Sequence, residues 1–281
     1  KINVEKPIKL VMDCGNASGA INGPEIFKEL GIEVKELYCK IDGSFPNHHP
    51  DPTVKENLKD LINEVKSGNY DLGIAFDGDG DRLVIIDENG DQVNGDHLLG
   101  MIALSLKKKN LLKNENIIST IMASKSLENY LKSIDLKLIR TKVGDRYVIE
   151  KMLDIGSNFG GEPSGHLIIN DFSSTGDAIV SSLQVLSLMI EENRPISNLT
   201  NLFPLTSQNN YEFKTENISN ISNSFLEDLS NKMNKKIGDE GRVIIRKSGT
   251  EPLIRVMVET DTKNIGEKLI DEIKLSLNYL T

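Results

Sequence analysis

The 281 residues are 38% hydrophobic and 27% charged, ordinary proportions for a chain long enough to bury more than one core. A net charge of −9, few aromatic residues and no Trp argue against nucleic acid as a partner. No apolar run approaches the about 20 residues that span a membrane, and no signal peptide opens the chain, so no membrane partner is expected and the cytoplasm is the expected compartment.

The apolar pattern alternates between strand and helix lengths. A buried strand is predicted at 8–13, a tight glycine loop at 15–19, a helix at 24–30 closed by Gly31, and a strand at 32–39. Val54, Leu58, Leu61, Ile62 and Val65 form a helical stripe within 53–67, and strands follow at 71–76 and 83–87. A second round runs through helix 98–106, strand 117–121, helix 124–131, strand 136–140, helix 146–154, strand 167–169 and a long helix 177–192. Beyond Pro204 the pattern changes to strands at 211–214, 243–246 and 254–259 with helices at 221–233 and 265–279; 207–210 and 217–223 read as polar loops and caps. The expected fold is two similar α/β domains with mixed, largely parallel sheets, plus a small C-terminal α+β domain, divided as 1–94, 95–203 and 204–281.

Cys14 and Cys39 have no CxxC partner and lie in strand-like contexts, so both are expected as reduced, buried small side chains. The dense basic run Lys107-Lys108-Lys109 follows an apolar stretch and reads as a helix C-terminus, where cations favour the dipole. His48 and His49 sit in a proline-bounded loop with no further ligand to complete a zinc shell, and His97 reads as structural.

Three loops carry chemistry. In Asp77-Gly78-Asp79-Gly80-Asp81-Arg82 the carboxylates fall at alternate positions with glycines between them. A non-helical loop can turn all three to one side, where they repel unless a hard cation such as Mg²⁺ neutralises them. Arg82 adjoins them and can pair with a phosphate held by the same metal. Glu88 completes the acidic spacing of a calcium EF-hand, but Arg82 stands where that loop needs glycine, and the flanks read as strands. In Arg246-Lys247-Ser248-Gly249-Thr250-Glu251-Pro252 an arginine fork, two hydroxyls and a permissive glycine make a phosphate cradle, with Arg255 adding charge from the next strand. In Gly160-Gly161-Glu162-Pro163-Ser164-Gly165-His166, Glu162 and Ser164 can bond vicinal sugar hydroxyls, and His166 can give or take a proton. For these last two loops a plain connecting turn remains an open alternative.

Taken in this order, DGDGDR, GGEPSGH and RKSGTEP resemble the metal, sugar and phosphate loops of the α-D-phosphohexomutase family, and the resemblance covers essentially the whole chain. Members have four domains around a cleft, and this sequence looks like the second, third and fourth. The chain opens at Lys1 without Met and contains no Ser-His-Asn-Pro-type loop, so it is expected to be a piece cut at a domain boundary, missing the N-terminal phosphoserine domain.

The resemblance implies a mutase interconverting 6-phospho and 1-phospho hexoses through a bisphosphorylated sugar intermediate, inactive without its phosphoserine. It implies that Asp77, Asp79 and Asp81 hold Mg²⁺, that Arg82 lies beside the reacting phosphate, and that Glu162 and Ser164 select sugar hydroxyls. His166 is implied in proton transfer, and Arg246, Ser248, Gly249 and Thr250 in holding the distal phosphate of the hexose phosphate substrate. The segments 141–148, 175–177 with 183–186, and 246–259 resemble the branch acting on glucosamine phosphate, whereas 42–52 resembles the branch acting on mannose and glucose phosphates; Pro163 departs from both. The first branch is expected, with conversion of glucosamine 6-phosphate to glucosamine 1-phosphate. A non-catalytic protein that binds metal or sugar phosphate is the alternative of another class.

Overall fold

In the computed structural model, which describes residues 8–214, 218, 221–248 and 251–278, the chain opens with four strands of one sheet. Strand β1 (Lys9–Asp13) leads through helix α1 (Gly23–Glu29) to β2 (Glu33–Leu37), and α2 (Lys59–Ser67) connects onward to β3 (Leu72–Phe76) and β4 (Leu83–Asp87). The order is β2-β1-β3-β4, with the first three parallel and β4 antiparallel to β3. Strands β3 and β4 are buried at every position, which is why they read as unbroken apolar runs. Leu58, Leu61 and Val65 pack on Val11, Ala75, Val84 and Ile86 across one face.

The second round repeats this topology. After α3 (Gly95–Lys108) come β5 (Asn116–Thr120), α4 (Lys125–Ser133), β6 (Lys137–Thr141), α5 (Asp145–Ile155), β7 (Phe159–Gly161) and β8 (Leu167–Ile169). Their order is β6-β5-β7-β8, again three parallel strands and an antiparallel last one. Helix α6 (Ala178–Glu192), followed by the short α7 (Ile196–Leu199), packs on α3 and reaches both β4 and β8. The two α/β halves belong to one compact unit, 1–123 with 127–203.

The other unit, 124–126 with 204–281, holds β9 (Gln208–Lys214), α8 (Asn223–Ile237), β10 (Gly241–Lys247), β11 (Leu253–Thr260) and α9 (Lys263–Asn278). Its sheet is antiparallel in the order β10-β11-β9, with Val243, Ile245, Val256 and Val258 packed beneath Met233 and Ile273 of the helices.

Several expectations change. Residues 208–210, read as a polar loop, are the first half of β9: Gln208, Asn209 and Asn210 pair with Glu259, Val258 and Met257 while their side chains stay exposed on the sheet edge. Of the polar stretch 217–223, residues 217, 219 and 220 lie outside the described residues. Helix α2 starts at Lys59 because a 3-10 turn occupies Lys55–Leu58, leaving Val54 exposed. Cys14 and Cys39 are not separate thiols: a disulfide joins them, their Cα atoms 4.9 Å apart. The parallel register that sets Asp13 opposite Leu37 brings the chain just past β1 against the chain just past β2. Lys107, Lys108 and Lys109 do end α3, and each lies against a carboxylate: Asp135, Glu192 and Glu191. His97 is buried with Nε2 3.0 Å from the Phe203 carbonyl. Among the described residues no helix is long and apolar enough to cross a membrane.

Candidate functional site

The metal loop is the tip of the β3–β4 hairpin, and Asp77 organises it. Its side chain is fully buried; Oδ1 accepts the backbone N–H groups of Gly80, Asp81 and Arg82 at 3.0, 3.0 and 3.1 Å, and Oδ2 accepts Arg82 Nε at 2.6 Å. Burial works to raise its pKa, but the backbone and guanidinium bonds from Arg82 outweigh it and hold the carboxyl below its usual range. The turn closes through Gly80 at φ +78°, a left-handed angle that glycine adopts without strain. Ser18 Oγ donates to the Gly78 carbonyl at 3.0 Å, and Ala178 N, opening α6, donates to the Gly80 carbonyl at 3.0 Å. Glu88 is turned away to Ser197 on α7, and strands flank the loop, so the EF-hand arrangement is absent here.

One oxygen each from Asp77, Asp79 and Asp81 gathers within 4.8 Å of the others. The Asp81 carboxyl is pushed up to about 6, by burial first, then by its hydrogen bond with Asp77 and the negative charge of Asp77 and Asp79, with His166 opposing. An all-oxygen, mutually repelling donor set fits a hard cation such as Mg²⁺. The raised pKa means that, without a cation, charging the half-buried Asp81 beside the other carboxylates works against the folded state as pH rises from the unfolded value of 3.8 through about 6. A cation reverses that effect. Millimolar Mg²⁺ is therefore expected to raise the melting temperature more at about pH 7.5 than at about pH 5 in a scanning fluorimetry series, and equal shifts would exclude the triad as its site.

The sugar loop is the corresponding tip, between β7 and β8, and it is seamed to the metal hairpin. Arg82 and His166 form a β-bridge, and Leu83 N donates to the Gly165 carbonyl at 3.1 Å. The His166 ring is 4% exposed, with Nδ1 3.1 Å from Asp81 Oδ2 and Nε2 without a hydrogen bond among the described residues. It lies so close to Gly176 that a Cβ there would come within 2.5 Å of it. The residue read as a proton carrier for the sugar thus touches a metal-loop carboxylate. Glu162 Oε1 accepts Gly144 N at 3.0 Å, linking the loop to 142–146. Ser164 is exposed and lines a cleft of about 370 Å³ with Thr53, Gln92, Asn94 and Pro163.

In the other unit, Arg246 and Arg255 are register partners on β10 and β11, so their side chains emerge on one face. Burial first, and the Arg255 charge second, hold the Arg246 pKa below its usual value. Ser248 Oγ and Arg255 Nε are buried without a hydrogen bond among the described residues, although Glu212 Oε1 lies 3.5 Å from that nitrogen and Glu251 accepts Arg255 Nη2 at 2.9 Å. Two facing arginines with unspent donors have the chemistry to receive an anion. Gly249 and Thr250 lie outside the described residues.

Sequence reasoning missed two contributors. Asp51 Oδ1 stands 3.7 Å from Arg82 Nη1, and His48, read as part of a stiff loop, meets Asp13 at 3.1 Å. Each contact spans more than thirty positions, and no local pattern marks it.

Paired α/β halves with a three-carboxylate hairpin, followed by a small antiparallel unit, correspond to part of the domain set of phosphohexomutases. Three domain models of one family match in succession: phosphoglucomutase/phosphomannomutase α/β/α domain II over 1–90, α/β/α domain III over 94–205, and the C-terminal domain over 205–276. The chain belongs to the phosphoglucomutase/phosphomannomutase family. It is 39% identical over 266 residues to a phosphoglucosamine mutase of Brucella ovis, covering 95% of this chain and 58% of that one. It is 38% identical over 274 residues to a phosphoglucosamine mutase of Beijerinckia indica, covering 98% and 60%. The chain thus spans about three fifths of the length of these relatives. A phosphoglucomutase/phosphomannomutase family protein from Burkholderia thailandensis matches with a TM-score of 0.84 at 26% identity, over 99% of this chain and 62% of that chain. The fold is also that of an Aspergillus fumigatus N-acetylphosphoglucosamine mutase solved with GlcNAc-6P and magnesium, at TM-score 0.75 and 17% identity, over 98% and 62%.

Proposed function

We propose that these 281 residues are the metal-, sugar- and phosphate-binding parts of a phosphohexomutase, divided as 1–94, 95–203 and 204–281. The proposed reaction converts glucosamine 6-phosphate to glucosamine 1-phosphate through a bisphosphorylated sugar. The observation that carries this reading is the carboxylate triad of Asp77, Asp79 and Asp81, with Arg82 fixed beside it by Asp77. The identity to phosphoglucosamine mutases supports the choice of sugar.

Phosphoryl transfer depends chiefly on positioning and on stabilising charge. Mg²⁺ held by the three aspartates supplies charge neutralisation at phosphoryl oxygens. Arg82, with Nε spent on Asp77, keeps its remaining donors for the transferring group. Glu162 and Ser164 orient the sugar hydroxyls. Arg246, Ser248, Gly249, Thr250 and Arg255 hold the phosphate that does not react. His166 keeps Asp81 in place and is the candidate for proton transfer on the sugar-loop side. The phosphoryl donor, a phosphoserine, is not in any Ser-His-Asn-Pro-type loop of these residues.

The test joins the chain to a phosphoserine-bearing domain from a full-length relative and compares sugars. Glucosamine 6-phosphate is expected to turn over faster than mannose 6-phosphate; equal or better mannose turnover would transfer the assignment to the phosphomannomutase/phosphoglucomutase branch, which the 42–52 segment resembles. Binding of Mg²⁺ and sugar phosphate without turnover of either would favour a non-catalytic binding protein. The chain alone, given glucose 1,6-bisphosphate, is expected to show no sustained conversion, and steady turnover there would remove the need for the phosphoserine.

A further inference from the structure

The proposed chemistry leaves the 47–51 loop without a role, yet this loop is fastened at one end to β1 and touches the metal hairpin at the other. His48 is the fastening. Its Nδ1 lies 2.9 Å from the His49 carbonyl oxygen, and its Nε2 lies 3.1 and 3.2 Å from the two oxygens of Asp13. Asp13 is 1% exposed and also accepts Gly15 N at 2.9 Å. A carbonyl and a carboxylate only accept, so His48 satisfies both at once only as an imidazolium. A carboxylate as buried as Asp13 calls for such a cation. The other titratable groups facing the ring are Tyr38, edge-on at 5.4 Å beyond β2, and Asp60 of α2, which accepts the Tyr38 hydroxyl at 2.6 Å. From this anchor the loop reaches the metal hairpin. Asn47 donates to Asn16 at 2.7 Å, Pro50 packs over Gly15 and Gly78, and Asp51 stands 3.7 Å from Arg82.

We propose that His48 is a positioning residue: as an imidazolium on Asp13 it clamps the 47–51 loop against the metal hairpin and so sets the Arg82 guanidinium through Asp51. The clamp depends on the mutase reading only for what Arg82 does once set. Its sign with pH follows from the pair. The hydrogen bond to Asp13 raises the His48 pKa above 6.5 against the opposing effect of burial, so the clamp is whole below 6.5 and is released as pH rises through the raised value.

The experiment is a nitrogen NMR titration of the imidazole and arginine side chains of the intact chain, from about pH 6 to about pH 9.5. Both His48 nitrogens are expected to be protonated at neutral pH, and the Arg82 Nε–H signal to show, beyond the step that Asp81 imposes at about pH 6 from 3.8 Å away, a transition with the same midpoint as His48. Asp13→Asn is expected to weaken His48 proton affinity about tenfold or more, and His48→Asn to abolish the Arg82 transition. A neutral His48 at neutral pH, or an Arg82 signal indifferent to its titration, would overturn the clamp, and the unsubstituted chain alone decides this should either variant fail to fold. Neither signal needs turnover, so a reconstituted enzyme inactive on hexose phosphates would count against the mutase reading and leave the clamp standing.

Discussion

Asp77→Ala is expected to abolish Mg²⁺ binding and to destabilise the first α/β half by about 3–5 kcal/mol, the usual cost of removing one partner from a buried ion pair. Asp77 does two jobs at once. Its Oδ1 satisfies three consecutive N–H groups of the loop, which have no strand partner, and its Oδ2 holds the Arg82 guanidinium. Alanine leaves the Asp81 and Arg82 N–H groups unsatisfied, takes from the arginine its nearest carboxylate and removes one cation ligand; Gly80 N keeps only its 3.2 Å bond to the residue 77 carbonyl. Asp79→Ala provides the contrast. Asp79 is exposed at the loop tip, so its loss is expected to weaken Mg²⁺ with little change in stability, within about 0.5 kcal/mol. Isothermal calorimetry with Mg²⁺ and urea unfolding separate the two effects. If Asp77→Ala keeps the metal affinity of the parent chain, the triad is not the cation site.

Gly165→Ala is expected to cost about 3 kcal/mol or more and to lower the melting temperature by about 6–12 °C. Gly165 has φ +95°, an angle that strains any side chain, and a Cβ there would lie 2.2 Å from the Leu83 carbonyl oxygen. That oxygen is backbone within β4, so the loop must retreat. Retreat breaks the bond from Leu83 N to the Gly165 carbonyl and draws His166 away from Asp81. Gly95 meets the same seam from the other side, where a Cβ would lie 1.9 Å from the Pro163 carbonyl oxygen. At Gly43 nothing lies within 4 Å of the added carbon, and Gly43→Ala is expected to stay within about 0.5 kcal/mol. A Gly165→Ala chain as stable as Gly43→Ala would show that the two hairpins are not held by this seam. The sugar-phosphate affinity of the variant, measured alongside, reports whether loop position matters to binding.

What could be read from the sequence depended on whether the cause was local. β3 and β4 were legible because both faces are buried and the apolar runs are unbroken, and the gathering of three carboxylates because six contiguous residues carry it. β7 was not seen as a strand: its Phe-Gly-Gly sequence has two glycines, which ordinarily weaken strands. The structure needs them, since a Cβ on Gly160 would come within 2.7 Å of the Ile118 carbonyl. The polar half of β9 was hidden for a different reason. Its strand character comes from backbone pairing with β11, and its exposed side chains leave no alternating pattern. The Cys14–Cys39 bond, the Asp51–Arg82 contact and the seating of His166 on Asp81 are all products of strand order, which brings together residues that composition and spacing keep apart.

The matching strand orders β2-β1-β3-β4 and β6-β5-β7-β8 have a further consequence. The metal hairpin joins the third and fourth strands of the first sheet, and the sugar hairpin joins the third and fourth strands of the second. They occupy the same position in two sheets of matching strand order. Such a tip can change length and sequence without disturbing a register behind it, because the strands pair with their neighbours whatever the turn contains. The same scaffold thus presents three carboxylates at one tip, and Glu162 and Ser164 at the other.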